Sequence, residues 1–282
     1  MQDESGLAEI LLPPHAASKA GNDVIYAWLA RYQQASAEGK DVVNGTIGAL
    51  LDDDGELVFN PAVAEAINRL PDLDKGAYSP LPGLPTYRDT ARTLAIGPRL
   101  EEMEAIGFST ESVASPGGCG ALYLSARNML SPGDSILVRS TYWGPYRTIA
   151  DECGLGLVDW PLVAESDQSV DKTALSSRLN NLVTSQGRVL AWLNDPAHNP
   201  TGMSLDSEGR NDVMNCFLEA ARANPKAGFT LLLDTAYALY AEEPHGWTDT
   251  VIAHFDNWPE NLLLCWAFST SKSHTIYGLR CG

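Results

Sequence analysis

The chain has 282 residues, 36 acidic against 19 basic side chains and a formal net charge of −17. Such a surface repels nucleic-acid phosphates and anionic lipid headgroups, so neither nucleic acid nor membrane is an expected partner. No apolar run approaches the ~20 residues that span a bilayer, and the acidic start, Met1-Gln-Asp-Glu-Ser5, is neither a secretory signal nor an Arg-rich transit peptide.

In chain order, Val24-Ile-Tyr26, Trp28, Leu29 and Tyr32 form a 3.6-residue apolar stripe, predicting a helix from Asn22 to about Ala37 with Asn22 or Asp23 as its cap. Pro61 to Leu70 reads as a second helix with proline in its first turn. Pro71 to Pro85 is rich in Pro and Gly and reads as a loop. From about Ser112 strands and helices alternate. The helix 120–129 ends at Ser131-Pro-Gly133, and strand 135–139 follows. Helix 144–153 is closed by Gly154, and strand 155–159 comes next. Asp171 caps a helix with Leu175, Leu179 and Leu182 on one face. Strand 189–193 leads to a helix that Asp206 caps, running to about Asn224 with Val213, Phe217 and Ala220 or Ala221 inward. Strands 229–233 and 262–268 complete the series. This alternation predicts an α/β fold: a mostly parallel sheet covered on both sides, a three-layer sandwich. Its ligand is expected outside the carboxyl ends of the strands.

Three motifs fall at such ends. Ser269-Thr-Ser-Lys-Ser-His-Thr-Ile-Tyr-Gly-Leu-Arg280 follows the last strand. Lysine forms Schiff bases with carbonyls. Hydroxyls, backbone N–H groups and arginine hold phosphate monoesters. A molecule with both an aldehyde and a phosphate is pyridoxal 5'-phosphate (PLP). For the segment alone, a surface lysine beside a turn is an equal reading. Asn194-Asp-Pro-Ala-His-Asn-Pro-Thr-Gly202 follows strand 189–193 and fixes Asn199 as a side-chain donor. Asp234-Thr-Ala-Tyr237 follows strand 229–233. A carboxylate there caps helices or forms turns, but beside a lysine it also suits the pyridine nitrogen of PLP, which must stay protonated.

Together these motifs resemble fold-type I PLP enzymes, and among them the class I aminotransferases of the aspartate and aromatic amino acid branch. The resemblance runs from about Val42 to the last residue. Val42-Val-Asn-Gly-Thr-Ile-Gly48-Ala49 looks like the family's strip near the substrate carboxylate, and Tyr78-Ser-Pro-Leu-Pro-Gly83 like its Y-x-P-x-x-G segment. Pro116-Gly-Gly-Cys-Gly120 stands where a phosphate-cradling turn belongs, and Thr141-Tyr-Trp143-Gly144 carries the ring-stacking aromatic.

The resemblance implies that Lys272 holds PLP covalently and shuttles a proton. It pairs Asp234 with the ring nitrogen, and Asn199 and Tyr237 with the phenolate oxygen. Arg280 and Ser269, with Ser271 as a weaker candidate, would bind the phosphate together with the N–H groups of Gly118 and Cys119. Trp143 would stack on the ring. Gly48, Trp143 and Asn199 would line the substrate position, and Tyr78 would reach the phosphate of a neighbouring subunit, making a homodimer. Two departures stand out. The branch has small hydroxyl residues where Gly117 and Cys119 stand, and often a histidine supporting the aspartate where Tyr146 stands.

Residues 1–45 are expected to contribute to a small domain and 46–282 to form the PLP-binding large domain. The resemblance implies that the rest of the small domain, with the arginine gripping the substrate carboxylate, follows Gly282. Five cysteines without CxxC pairs and five histidines without ligand spacing fit a cytoplasmic protein with no metal. His198 is taken as structural. The expected reaction is transamination between an L-amino acid, either aspartate/glutamate or aromatic, and a 2-oxo acid. A PLP-dependent lyase or decarboxylase on the same fold, or a non-catalytic PLP-binding regulatory domain, are the alternatives.

Overall fold

Short runs of β-branched and leucine-rich sequence alternate with capped amphipathic stretches, and the computed structural model shows the sheet they build. It describes residues 10–17, 24–46, 48–161, 163–164 and 169–282. The chain divides into a unit spanning Met1–Val58 and a unit spanning Phe59–Gly282.

In the first unit, helix α1 spans Val24–Ala37. Its expected caps, Asn22 and Asp23, and the side chains of Val24, Ile25 and Tyr26 lie outside the described residues. Trp28 is exposed and carries the Arg31 guanidinium 4.6 Å from its ring centre.

The second unit opens with α2, Pro61–Arg69, whose cap Asn60 accepts from Ala62 N–H. The segment read as a plain loop contains a helical turn, Asp72–Gly76. Helix α3, Pro85–Ile96, and a short helix, Leu100–Ala105, follow without having been read from sequence. Pro85 starts α3 because its missing N–H costs nothing in the first turn. Helix α4 spans Gly117–Met129, beginning three residues before the expected start.

Strands β1 (Ser135–Arg139), β2 (Gly156–Trp160), β3 (Arg188–Asn194), β4 (Gly228–Asp234) and β5 (Leu262–Ala267) form a five-stranded sheet in the order β2-β1-β3-β4-β5, with every pair parallel. Between them run α5 (Pro145–Glu152), α6 (Lys172–Gln186), α7 (Ser207–Ala223) and α8 (Gly246–Ala253). A turn of helix, α9 (Thr270–Ser273), follows β5.

Side chains alternate across each strand, so the sheet has two apolar faces. On one, Ala191, Leu193, Leu231 and Leu233 pack with Leu175, Leu179 and Leu182 of α6, Phe217 of α7 and Val251 of α8. On the other, Leu190, Trp192 and Leu232 meet Leu122 and Ala126 of α4 and Tyr146 and Ala150 of α5. Full burial of one such large side chain is worth about 1.5–3 kcal/mol, so the two layers together fix the sheet between them. Asn194 and Asp234 end their strands on the α4/α5 side, because they continue the parity of Trp192 and Leu232.

Candidate active site

Strand register lays the site out in a row. Asn194 pairs with Asp234 and Asp234 with Ala267 across β3, β4 and β5. The three motifs therefore leave the sheet at one level, from adjacent strands. Asn194 ties two of them together: its Nδ2 donates to Asp234 O (2.8 Å), and its Oδ1 accepts from Asn199 N–H (2.6 Å).

Asp234 is buried, and desolvation raises its pKa above the ordinary carboxylate range. Two donors act against that. Tyr146 Oη donates to Oδ2 at 2.6 Å, and Ala236 N–H donates to Oδ1 at 3.3 Å. A tyrosine thus donates to Asp234 at the position where the resemblance leads one to expect a histidine. Burial and the adjacent carboxylate push the Tyr146 phenol well above its ordinary pKa, so it keeps its proton.

Lys272 lies in α9, where Ser269 caps the turn by accepting from Ser271 N–H (3.2 Å). Its Nζ sits 5.6 Å from the ring centre of Tyr237 and 5.0 Å from that of Tyr277. Burial, then the positive charge of Arg280, lowers the Lys272 pKa. A lysine so placed gives up its proton more readily than a surface lysine and becomes a better nucleophile. Tyr237 hydrogen-bonds the Asn199 side chain, while its own pKa is raised mainly by burial. The hydroxyl of Tyr240 donates to the Lys272 carbonyl and pins the turn from outside.

An anion cradle adjoins this turn. Thr270 N–H donates to Cys281 O (3.2 Å), Ser115 N–H donates to Gly282 O (2.7 Å), and Gly282 N–H donates back to Ser115 O (3.1 Å). The segment carrying Arg280 is therefore laid across both α9 and the start of α4. Gly117 has φ +70°, and a Cβ there would lie 3.1 Å from Arg280 Nη2; a Cβ at Gly118 would lie 3.6 Å from Ser269 Cβ. Glycine at 117 thus lets the guanidinium lie against the start of α4, where the helix end favours negative charge. This gives a physical reason for glycine where the branch has a hydroxyl residue. Ser271 adds a buried hydroxyl oxygen with no hydrogen-bond partner among the described residues. Anion donors, a lysine with lowered pKa and a buried carboxylate, all from adjoining segments, fit the phosphate, aldehyde and ring nitrogen of PLP.

The remaining expectations are placed as follows. Gly118 and Cys119 stand inside the first turn of α4 rather than ahead of it, because the helix starts at Gly117. Trp143 is half-buried beside Tyr146, with ring centres 5.8 Å apart and edge-on at 84°. Tyr78 is fully exposed on its loop. Gly48 lies in the first unit. His198 is buried behind the loop, with Nδ1 2.8 Å from Thr201 Oγ1, and burial lowers its pKa to about 4. No cluster of potential metal ligands occurs among the described residues, and no described helix is long and apolar enough to cross a membrane. Sequence reading missed Asn194 as the clamp between motifs. Its place as the last residue of a strand, at the head of the Asn199 motif, was the available signal.

Residues 40–282 match the family model for class I and II aminotransferases. The chain is 27% identical over 239 residues to a mitochondrial aspartate aminotransferase of Schizosaccharomyces pombe, covering 83% of this chain and 51% of that protein. It is 28% identical over 222 residues to an aromatic-amino-acid aminotransferase of Escherichia coli, covering 76% and 52%. The chain thus spans about half the length of these relatives. The crystal structure of an aminotransferase from Anaerococcus prevotii superposes with a TM-score of 0.86 at 28% identity, covering 96% of this chain and 65% of that one. With most of its length, residues 40–282, matching that family model, the chain belongs to the class I and II aminotransferase family.

Proposed function

We propose that the protein is a PLP-dependent aminotransferase that moves an amino group between an L-amino acid, aspartate/glutamate or aromatic, and a 2-oxo acid. The observation that carries this reading is Lys272. It has a lowered pKa and stands in a turn tied on one side to the Arg280 cradle, with the Asp234 row on the neighbouring strand.

PLP, when bound, supplies an electron sink for the bonds at the substrate's α-carbon. The chain's residues do the rest. Lys272 would hold the cofactor through its amine and hold and return a proton at Nζ. Asp234 would supply the acidic partner for the ring nitrogen. Asn199 and Tyr237 would be donors for the ring oxygen. Gly118, Cys119, Ser269 and Arg280 would hold the phosphate, and Trp143 would supply the stacking aromatic. Trp143 and Asn199 would line the substrate position. Tyr78 reaches the neighbouring subunit's phosphate in a homodimer, and the protein works in the cytoplasm.

The test is chemical. Borohydride reduction of the PLP-loaded protein should leave a pyridoxyl group on Lys272, and a label on another lysine would overturn the assignment. Incubation with an amino donor and 2-oxoglutarate should yield glutamate. Release of carbon dioxide or ammonia without glutamate would instead support the lyase or decarboxylase alternative.

A further inference from the structure

We infer that Tyr146 is the positioning residue for Asp234: its hydroxyl donates to Oδ2 and holds that carboxylate charged and in one orientation, independently of pH through neutrality. The inference rests on the PLP reading for its consequence, though not for its geometry. Tyr146 and Asp234 are 1% and 6% exposed, and their oxygens are 2.6 Å apart.

The tyrosine has little freedom to do anything else. Its ring meets Trp192 edge-on at 5.0 Å and Trp143 at 5.8 Å, and it stacks against Tyr142 at 6.4 Å. Trp192 is itself fixed, since Nε1–H donates to Ser125 Oγ (3.0 Å) and Ser125 donates to Leu122 O (2.7 Å). A chain of contacts thus runs from the α4 backbone through Trp192 to the phenol and the carboxylate.

The identity of the donor matters. A phenol carries one proton that ordinarily leaves near pH 10, whereas an imidazole gains or loses charge near pH 6.5. A histidine at this place would change the charge beside Asp234 across the neutral range, and a tyrosine does not. The other ionisable groups facing the pair are Cys119 from α4, Tyr142 before α5 and Tyr237 after β4.

The experiment compares wild type with Tyr146→Phe and Tyr146→His. In cofactor-free protein, the ¹³C carboxyl resonance of Asp234 should titrate at higher pH in Tyr146→Phe than in wild type. Equal midpoints would overturn the inference whether or not PLP binds. With PLP added, Tyr146→Phe should bind roughly tenfold more weakly, about 1.4 kcal/mol. Tyr146→His should recover much of that affinity but make it vary with pH in the histidine range, where wild type is flat. A Tyr146→His protein with the flat wild-type profile would also overturn it. If wild type shows the Asp234 shift but takes up no PLP, the proposed function fails and the Tyr146–Asp234 assignment stands. Should Tyr146→Phe not fold, Tyr146→His and a Trp192→Phe variant carry the same carboxyl titration. Loosening the tryptophan should move the Asp234 midpoint in the same direction, and no movement in either variant counts against the inference.

Discussion

Lys272 shows how a single residue's surroundings set its chemistry. Two tyrosine rings remove water from Nζ, and Arg280 adds a like charge, so both act to release the proton. The amine should therefore react with a carbonyl at a pH below that of an ordinary lysine, near 10.4. Following the rate of attachment of pyridoxal, which lacks the phosphate, across pH should give a midpoint below that value. Replacing Arg280 with glutamine removes the repulsion and leaves the burial, so the midpoint should move part of the way back up. An unchanged midpoint would mean that Arg280 does not act on Nζ. The lysine and the arginine were both legible in the sequence because they stand eight positions apart in one segment. The Tyr146–Asp234 contact was not, because its partners lie 88 residues apart and no local pattern encodes a meeting between elements.

At the scale of elements, local chemistry was readable wherever it was self-contained. Asp171 and Asp206 cap α6 and α7 as their positions before apolar stripes require, accepting from Ala174 and Gly209 N–H at 2.8 Å each. Replacing Asp206 with alanine should lower stability by about 1 kcal/mol, measured by denaturant unfolding; α7 matters because Val213, Met214 and Phe217 are buried on it. Where tertiary contacts override propensity, reading failed. Glycines are poor helix formers, so propensity places the start of α4 at Gly120, yet the helix begins at Gly117, whose positive φ and closeness to Arg280 favour glycine. Helix α3 was not read from sequence, and Ile96 is its one buried residue. The β3–α7 loop carries a further consequence. Asp195 is buried and accepts from Leu205 N–H and Trp247 Nε1–H, and burial raises its pKa to about 6. A raised carboxyl pKa favours the folded state below about pH 4 and loses that advantage as pH rises through 6. His198, lowered to about 4, works the other way, contributing fully above about pH 6.5 and losing it as pH falls towards 4. The two slopes oppose each other in one window. His198→Gln should expose the Asp195 slope, so that the thermal midpoint falls more steeply between pH 4 and 6 than in wild type. Parallel profiles would show that the two groups do not titrate as described.

For the whole molecule, the proposed dimer makes a prediction that the single chain cannot. Lys272, Asp234 and Arg280 all belong to the second unit, as does Tyr78, but Tyr78 stands fully exposed on a loop with Leu73 and Leu81 equally bare. Service to the neighbouring subunit's phosphate would bring this loop across a two-fold axis, because a symmetric pair exchanges the same loop in both directions. The alternative, an ordinary loop tyrosine, makes an opposite prediction in mixed dimers. Consider chains bearing Lys272→Ala unfolded and refolded together with chains bearing Tyr78→Phe. If Tyr78 crosses, each hybrid holds one site with both defects and one site with neither, so turnover should rise above the mean of the two parents. If Tyr78 acts within its own chain or not at all, no hybrid contains a repaired site, and the mixture should match that mean. A mixture at the parental mean, with hybrid dimers demonstrated by native mass spectrometry, would remove Tyr78 from the site.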